Sequence, residues 1–456
     1  MFFGLAQKII RRRNFRQNLK MGYVFLLVGV FISGAFAERV IIDITSPEIR
    51  RWNIALLDLD LLNPSSPYAW ASPVPKTVSK DLEMSGLFEI LNPQAFLAGR
   101  PEDLSKEDWL RYRDWSLMGA DGLVVGSYRR NEEGELDIEL RLYDIAQGRM
   151  VVGKRYTGKS EHLPMIAHRF ANEILAAFTG ELGPFGSQIA YVSDQTGNKE
   201  IYRMEMDGTE TASVTQNRAI NLSPRWSPTG MRILYTTYRY GDPDLLIYDL
   251  VHGEDIPLLV EPGLQMGGEF SPDGKWVVYS LNEKGNSDIY LMSFSNKKSR
   301  RLTSDWALDV SPHWSPDGDR IVFVSDRGGS PQLYIMDVKT GEARRITFQG
   351  NYNASPAWSP RGDRIAYASL EGNRLQIYTL DPLGKDLKRL TQTDSNEESP
   401  SWSPDGRYLV FASNRGGNYD LYMMNINGSN LQQLTRTRYN ETAPNWSGRL
   451  WSGESH

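Results

Sequence analysis

The sequence predicts two domains: an N-terminal mixed α/β domain, then a six-bladed β-propeller closed by the C-terminal strand. Three observations carry this. An aromatic position recurs at a step of 44 residues, at Trp226, Phe270, Trp314, Trp358, Trp402 and Trp446. An apolar position follows the same step at Ile189, Ile233, Val277, Ile321, Ile365 and Leu409. Before this repeat, helical and strand periodicities alternate without any fixed step.

Residues 1–37 read as an export signal. Lys8, Arg11, Arg12, Arg13, Arg16 and Lys20 precede the apolar run "YVFLLVGVFISGAFA", which ends in an A-x-A site at Ala35–Ala37. The run is shorter than the roughly 20 residues a spanning helix needs, and no cysteine follows it for lipidation. Cleavage after Ala37 is expected, giving an exported chain that starts at Glu38 and does not insert in a membrane. Removing the six cations takes the net charge from −5 to −11. Such an anion without a basic stripe is a poor nucleic-acid binder.

Residues 38–180 form the expected α/β domain. "RVIIDI" (39–44), "NIALLDL" (53–59) and "GLVVGSYRR" (122–130) read as strands. "KTVSKDLEMSGLFEI" (76–90) has helical spacing through Val78, Leu82 and the Leu87/Phe88 pair. A second helix starts near the capping-box pair Ser105 and Asp108 and puts Trp109, Tyr112 and Trp115 near one face. "ELDIELRLYD" and "MVVGKRYTG" flank a turn as a hairpin, and the helix at 163–180 ends at Gly180. "GADGLVVGSY" lacks the spacing of a dinucleotide site.

Residues 183–456 form the expected propeller. A period near 44 containing four short strands is the mark of a propeller blade. Each "S-P-D-G" is a tight turn, in which Pro presets φ and Gly takes the closing conformation. "RIVFVS" is apolar almost throughout, as a strand packed on both faces must be. "RRIT" is a short, charged outer strand that resists edge pairing. Two further rows hold the step: Tyr202, Leu246, Tyr290, Tyr334, Tyr378 and Tyr422, and Thr215, Leu259, Thr303, Thr347, Thr391 and Thr435. No first strand precedes Ile189, yet a surplus copy, "ETAPNWSG", stands at 441–448. That copy is expected to complete the first blade.

Composition excludes several chemistries. There is no cysteine, hence no disulfide, thiol nucleophile or thiolate metal ligand. The five histidines show no metal spacing, so no metal or cofactor is expected. No G-x-S-x-G nucleophile motif is present. Asp309, Glu397 and Glu441 recur at one blade position and leave open a channel-site enzyme, a lyase, lactonase or glycosidase. Their simpler reading is solvated turn positions.

The repeats "SPHWSPDG", "SPAWSPRG" and "SPSWSPDG" resemble the TolB-type propeller repeat. The whole layout (signal peptide, mature start "ERVIIDI", α/β domain, six blades) is similar to the TolB family of the Gram-negative Tol-Pal system. The resemblance implies a non-enzymatic, monomeric periplasmic protein that links two partners. These are inner-membrane TolA and the peptidoglycan-associated outer-membrane lipoprotein Pal, in support of envelope integrity and outer-membrane constriction at division. It also implies that the mature N-terminus (Glu38, Arg39, Val40, Ile41 and Ile42) contacts TolA.

Residues just before each "S-P-x-W" are expected at one mouth of the channel. Five before the aromatic row stand Asn221, Gln265, Asp309, Asn353, Glu397 and Glu441; four before stand Leu222, Met266, Val310, Ala354, Glu398 and Thr442. Polar groups beside apolar ones suit a protein docking site. By the resemblance, lipoprotein-contacting positions lie on these crossovers, which points to Leu264, Gln265, Met266, Asp309 and Val310, with Asn353, Glu397 and Glu441 completing the ring. "LQMGGEF" differs from the family in having an apolar Leu264 and no basic residue or histidine. The opposite mouth, built from the "SPDG" turns, is then free to face the α/β domain.

Overall fold

The computed structural model describes residues 51–62, 73–96, 112–283 and 285–450. The export segment, the 39–44 strand, the contacts of Glu38–Ile42, and Ser105 to Trp109 all lie outside the described residues.

The α/β domain is one mixed sheet with helices. Its elements are β1 (Trp52–Leu56), β2 (Asp60–Leu61), α1 (Pro73–Met84), β3 (Phe88–Ile90), α2 (Tyr112–Leu117), β4 (Gly122–Arg130), β5 (Leu136–Asp144), β6 (Arg149–Gly158) and α3 (Leu163–Thr179). The sheet order is β3-β1-β4-β5-β6, with β1 parallel to both of its neighbours and β4-β5-β6 antiparallel. The hairpin, the strand at 122–130 and the last helix fall where the sequence predicts them. Gly180 closes α3 in the left-handed conformation, its N–H bonding Ala176 O.

One expectation fails. The helical spacing extended from 76 through the Leu87/Phe88 pair, but α1 stops at Met84 and Phe88–Ile90 is a strand. Ser85 Oγ accepts from Leu87 N–H, and Gly86 adopts φ 72°, which turns the chain back toward β1. A Cβ on Gly86 would stand 2.8 Å from Asn430 Nδ2, so glycine also permits a close approach to the propeller.

The propeller has six four-stranded sheets. Blade 1 is β7 (Gln188–Ser193), β8 (Glu200–Glu205) and β9 (Ala212–Ser213), completed from the far end of the chain. Blades 2 to 6 are β10–β13 (221–259), β14–β17 (264–301), β18–β21 (309–345), β22–β25 (353–389) and β26–β29 (397–433). The completing strand is β30 (Glu441–Trp446), which pairs antiparallel with β7, Glu441 opposite Ser193 and Trp446 opposite Ile189. The ring thus closes through the surplus sequence copy.

Blades cohere by packing on each other. One cluster joins Val278, Ile289 and Leu291 of blade 3 to Trp314, Ile321 and Phe323 of blade 4. This is why the sequence must repeat: a lone blade leaves both faces wet. The threonine row is a polar staple within each blade. Thr215, Thr303, Thr347, Thr391 and Thr435 Oγ1 accept the N–H of Ile201, Ile289, Leu333, Ile377 and Leu421 in the third strand. Blade 2 has Leu259 there, and its pairing shifts register between Leu245 and Leu246. Every inner strand is also bulged three residues before the aromatic row. Ser223, Gly267, Ser311, Ser355, Ser399 and Ala443 have φ between 48° and 60°.

Candidate functional site

Strands in a blade run alternately up and down. The first-to-second turns and the third-to-fourth turns therefore share one face of the ring, the turn face. The crossovers between blades share the other. The two faces are built very differently.

The turn face carries the α/β domain. Tyr408 Oη, just past the "SPDG" turn of blade 6, donates to Ser85 O at 3.1 Å. Asn430 Nδ2 and Gln432 Nε2 each donate to Met84 O at 3.0 Å. Lys80 pairs with Asp207 in the third-to-fourth turn of blade 1. Glu181, in the linker, pairs with Arg361 and with Arg407 (3.2 Å), and Arg449 donates to Leu182 O and Gly183 O. One apolar cluster continues from α1 and α3 into blades 1 and 6. The sequence expectation that the α/β domain faces this mouth therefore holds.

The channel end on this face is a cavity of about 390 Å³ lined by Trp226, Phe270, Trp314, Trp358, Trp402 and Trp446 with Glu269, His313, Ser401 and Asn445. These polar groups fasten neighbouring blades. Asn445 Oδ1, Glu269 Oε2, His313 Nδ1 and Ser401 Oγ accept the backbone N–H of Trp226, Trp314, Trp358 and Trp446, in each case in the next blade. Among the described residues no cluster of His, Asp and Glu is arranged to hold a metal ion, and no helix is long and apolar enough to cross a membrane.

On the crossover face, the row five before the aromatic position does not lie open to solvent. Asn221, Gln265, Asp309, Asn353, Glu397 and Glu441 are all buried. Each stands at the start of its inner strand with the side chain turned inward: Asp309, Glu397 and Glu441 bond groups of their own blade, while Asn221 and Asn353 reach Glu200 and Gln332 of the preceding one. Asp309 accepts from Arg327 Nη2 at 2.9 and 3.1 Å. Glu397 accepts from Arg415 Nη2, Thr393 Oγ1 and Ser413 Oγ at 2.9, 2.7 and 3.1 Å. Asn353 donates to Gln332 Oε1, and Gln265 to Glu261 O. These are not the solvated turn positions that the simpler sequence reading made of the acids. Of the remaining candidates, Leu264 and Met266 are exposed and Val310 is half-buried.

Apart from Leu264, sequence reasoning missed the position one earlier. Ile220, Leu264, Leu308 and Tyr352 are exposed apolar residues at the ends of four successive crossovers. Trp306 (78% exposed) and Phe348 (71%) project from two of those crossovers, and Tyr240 from a neighbouring loop. Together with Met266 they form an apolar arc over blades 2 to 5. At blades 6 and 1 the arc stops: the same position holds Asn396 and Asn440, near Asp394, Arg436 and Arg438. The signal was present as Trp306 and Phe348, large aromatics standing outside every repeat row.

Comparison with known proteins places this architecture. Residues 175–450 match the model of the TolB beta propeller domain, and residues 40–151 that of the TolB amino-terminal domain. The Tol-Pal system protein TolB of Syntrophotalea carbinolica is 39% identical over 208 residues, 45% of this chain and 48% of that protein. Its counterpart in Geobacter sulfurreducens is 39% identical over 206 residues, 44% and 46%. The chain thus spans about half the length of the curated relatives it matches. The crystal structure of TolB from Acinetobacter baumannii superposes with a TM-score of 0.76 at 27% identity, over 88% of this chain and 97% of that one. The chain belongs to the TolB family.

Proposed function

We propose that this protein is a non-enzymatic interaction component of the Tol-Pal system in the periplasm. Its crossover face receives the outer-membrane lipoprotein Pal, and residues Glu38–Ile42 reach TolA, in support of envelope integrity and constriction at division. The observation that carries this is the apolar arc. Exposed Trp and Phe side chains on a face that the described residues of the α/β domain leave uncovered are what a protein partner buries as anchors. The relatives' shared name supplies the system. In this reading residues 1–37 direct export, 38–180 present the TolA segment, and 183–456 form the docking ring. The buried row, Gln265, Asp309, Asn353, Glu397 and Glu441, holds the crossovers in shape, while Leu264, Met266 and Val310 make contact beside Trp306 and Phe348. The test is Trp306→Ala with Phe348→Ala, measured for Pal binding by calorimetry and for melting. Affinity should fall by about 30-fold for either substitution and up to about a thousandfold for both, since each anchor contributes about 2 kcal/mol, with the melt unchanged. Unchanged affinity would move Pal to another surface.

A further inference from the structure

Blades 4 and 6 each hold an arginine in the same way. Arg327 and Arg415 leave the loop after the second strand and bond the carboxylate that opens the inner strand, Asp309 or Glu397. Nε of each donates to a serine hydroxyl, Ser325 at 2.8 Å or Ser413 at 2.9 Å. Each guanidinium lies over a tyrosine ring, Tyr334 at 5.0 Å or Tyr422 at 4.6 Å. Carboxylate, hydroxyl and ring face make a complete guanidinium cage.

Blade 1 has the cage and lacks the arginine. Glu441, Ser193 and Tyr202 stand at the three equivalent positions, and Tyr202 packs on Tyr191 as Tyr334 does on Phe323, 5.9 Å between centroids in both. The residue at the arginine position is Gln195, which is exposed. Glu441 is 2% exposed; Oε1 accepts from Ser193 and Thr437, while Oε2 is shielded and has no partner among the described residues. Elsewhere the chain keeps acid and arginine together. Blades without this pair open their inner strands with the neutral amides Asn221, Gln265 and Asn353. Glu441 alone in this row is an acid with no arginine opposite.

We infer that Glu441, Ser193 and Tyr202 form a receptor for a guanidinium from outside the chain, an arginine side chain of the protein docked on the crossover face. The equivalent slots reach that face, because Arg327 and Arg415 are both partly exposed in theirs; in blade 1 the slot is closed, Glu441, Ser193 and Tyr202 being all buried, and an entering guanidinium displaces what covers them. A bidentate, planar cation fits three such groups better than an ammonium does. Burial without a counter-charge, beside Asp420 and Asp194, pushes the Glu441 carboxyl up to about 7, as expected for a site waiting for its cation. The receptor sits across the ring from the apolar arc, so one partner can engage both; this part rests on the docking reading above.

The test has two arms. In the first, L-argininamide is titrated into the full protein and followed by the carboxyl carbon signal of Glu441 and the ring signals of Tyr202. A saturable shift at millimolar concentration is expected, at least threefold weaker with lysinamide. It should vanish in Gln195→Arg, whose own side chain fills the cage and brings the Glu441 midpoint below 5. Equal shifts with the two amides, or a shift that persists in Gln195→Arg, overturn the receptor. In the second arm, Gln195→Arg is measured for Pal binding. About a tenfold loss is expected. Unchanged affinity here, with the apolar-arc variants still defective, overturns the assignment to the docked partner while leaving the docking face in place.

Discussion

The two faces of the propeller are written by the same repeat, and they differ in what the repeat keeps constant. On the turn face, "SPDG"-type turns recur from blade to blade, and their backbones and side chains close hydrogen bonds between blades or to the α/β domain. On the crossover face the position before the buried polar row is not held constant: it is Ile220, Leu264, Leu308, Tyr352, Asn396 and Asn440. Constancy within the chain marks positions that every blade needs for folding. Exposed positions that vary are free of that duty, and there the large apolar side chains gather on one arc.

The largest effect should come from opening the ring that both faces share. Ending the chain before Tyr439 removes β30 and leaves β7 as an unpaired edge. Loss of the cooperative melt, with aggregation in light scattering, is the expected result; a melt like the full chain's would mean that closure does not depend on this strand.

Next in size is the crossover framework. Arg415→Ala leaves Glu397, fully buried, without its cation, at a cost of about 3 kcal/mol read from urea unfolding. Gln195→Ala at the same place in blade 1 should cost less than about 0.5 kcal/mol. Equal costs would erase the distinction between a filled cage and an empty one.

On the turn face, Tyr408→Phe removes the bond to Ser85 O and should lower stability by about 1 kcal/mol. Pal affinity should not change. A drop in affinity would show that the two faces are not separable.

A pH slope follows from the same unpaired acid. Glu441 holds its proton up to about 7 in the folded chain and to 4.5 in the unfolded one. Stability therefore falls as pH rises between those values and levels off above. His168 adds in the same direction. Burial disfavours its charge, but its bond to Asp81 outweighs this and raises its pKa above 6.5, so its contribution fades as pH rises further. Glu441→Gln should remove its own share, flattening melting temperature against pH between 5 and 8 by a few degrees. An unchanged slope would place the titration elsewhere.

The propeller was legible because its evidence is arithmetic. The step of 44 survives without knowledge of any contact, and the surplus copy at 441–448 has one sheet edge to fill. Leu246 and Leu259, the two breaks in the rows, fall in the blade that carries the shifted register. Helix α1 was over-extended because Leu87 and Phe88 keep an apolar spacing, which cannot reveal that Ser85 and Gly86 have already ended the helix. The sequence does not tell which residues of each crossover face solvent. In an edge strand successive side chains point to opposite sides, so the polar row turns inward while the residue before it turns out. Nothing in the letters of Asp309 or Glu397 tells which side they take; their arginine partners, eighteen residues on, could have.

In the proposed function, recognition belongs to the crossover face and support to the turn face. Amide hydrogen exchange of the full protein with and without Pal tests it most directly. Protection should rise at residues 304–308 and 348–352 and stay unchanged at the turns 227–230 and 403–407. Protection confined to those turns, with the crossovers unaffected, would contradict the account.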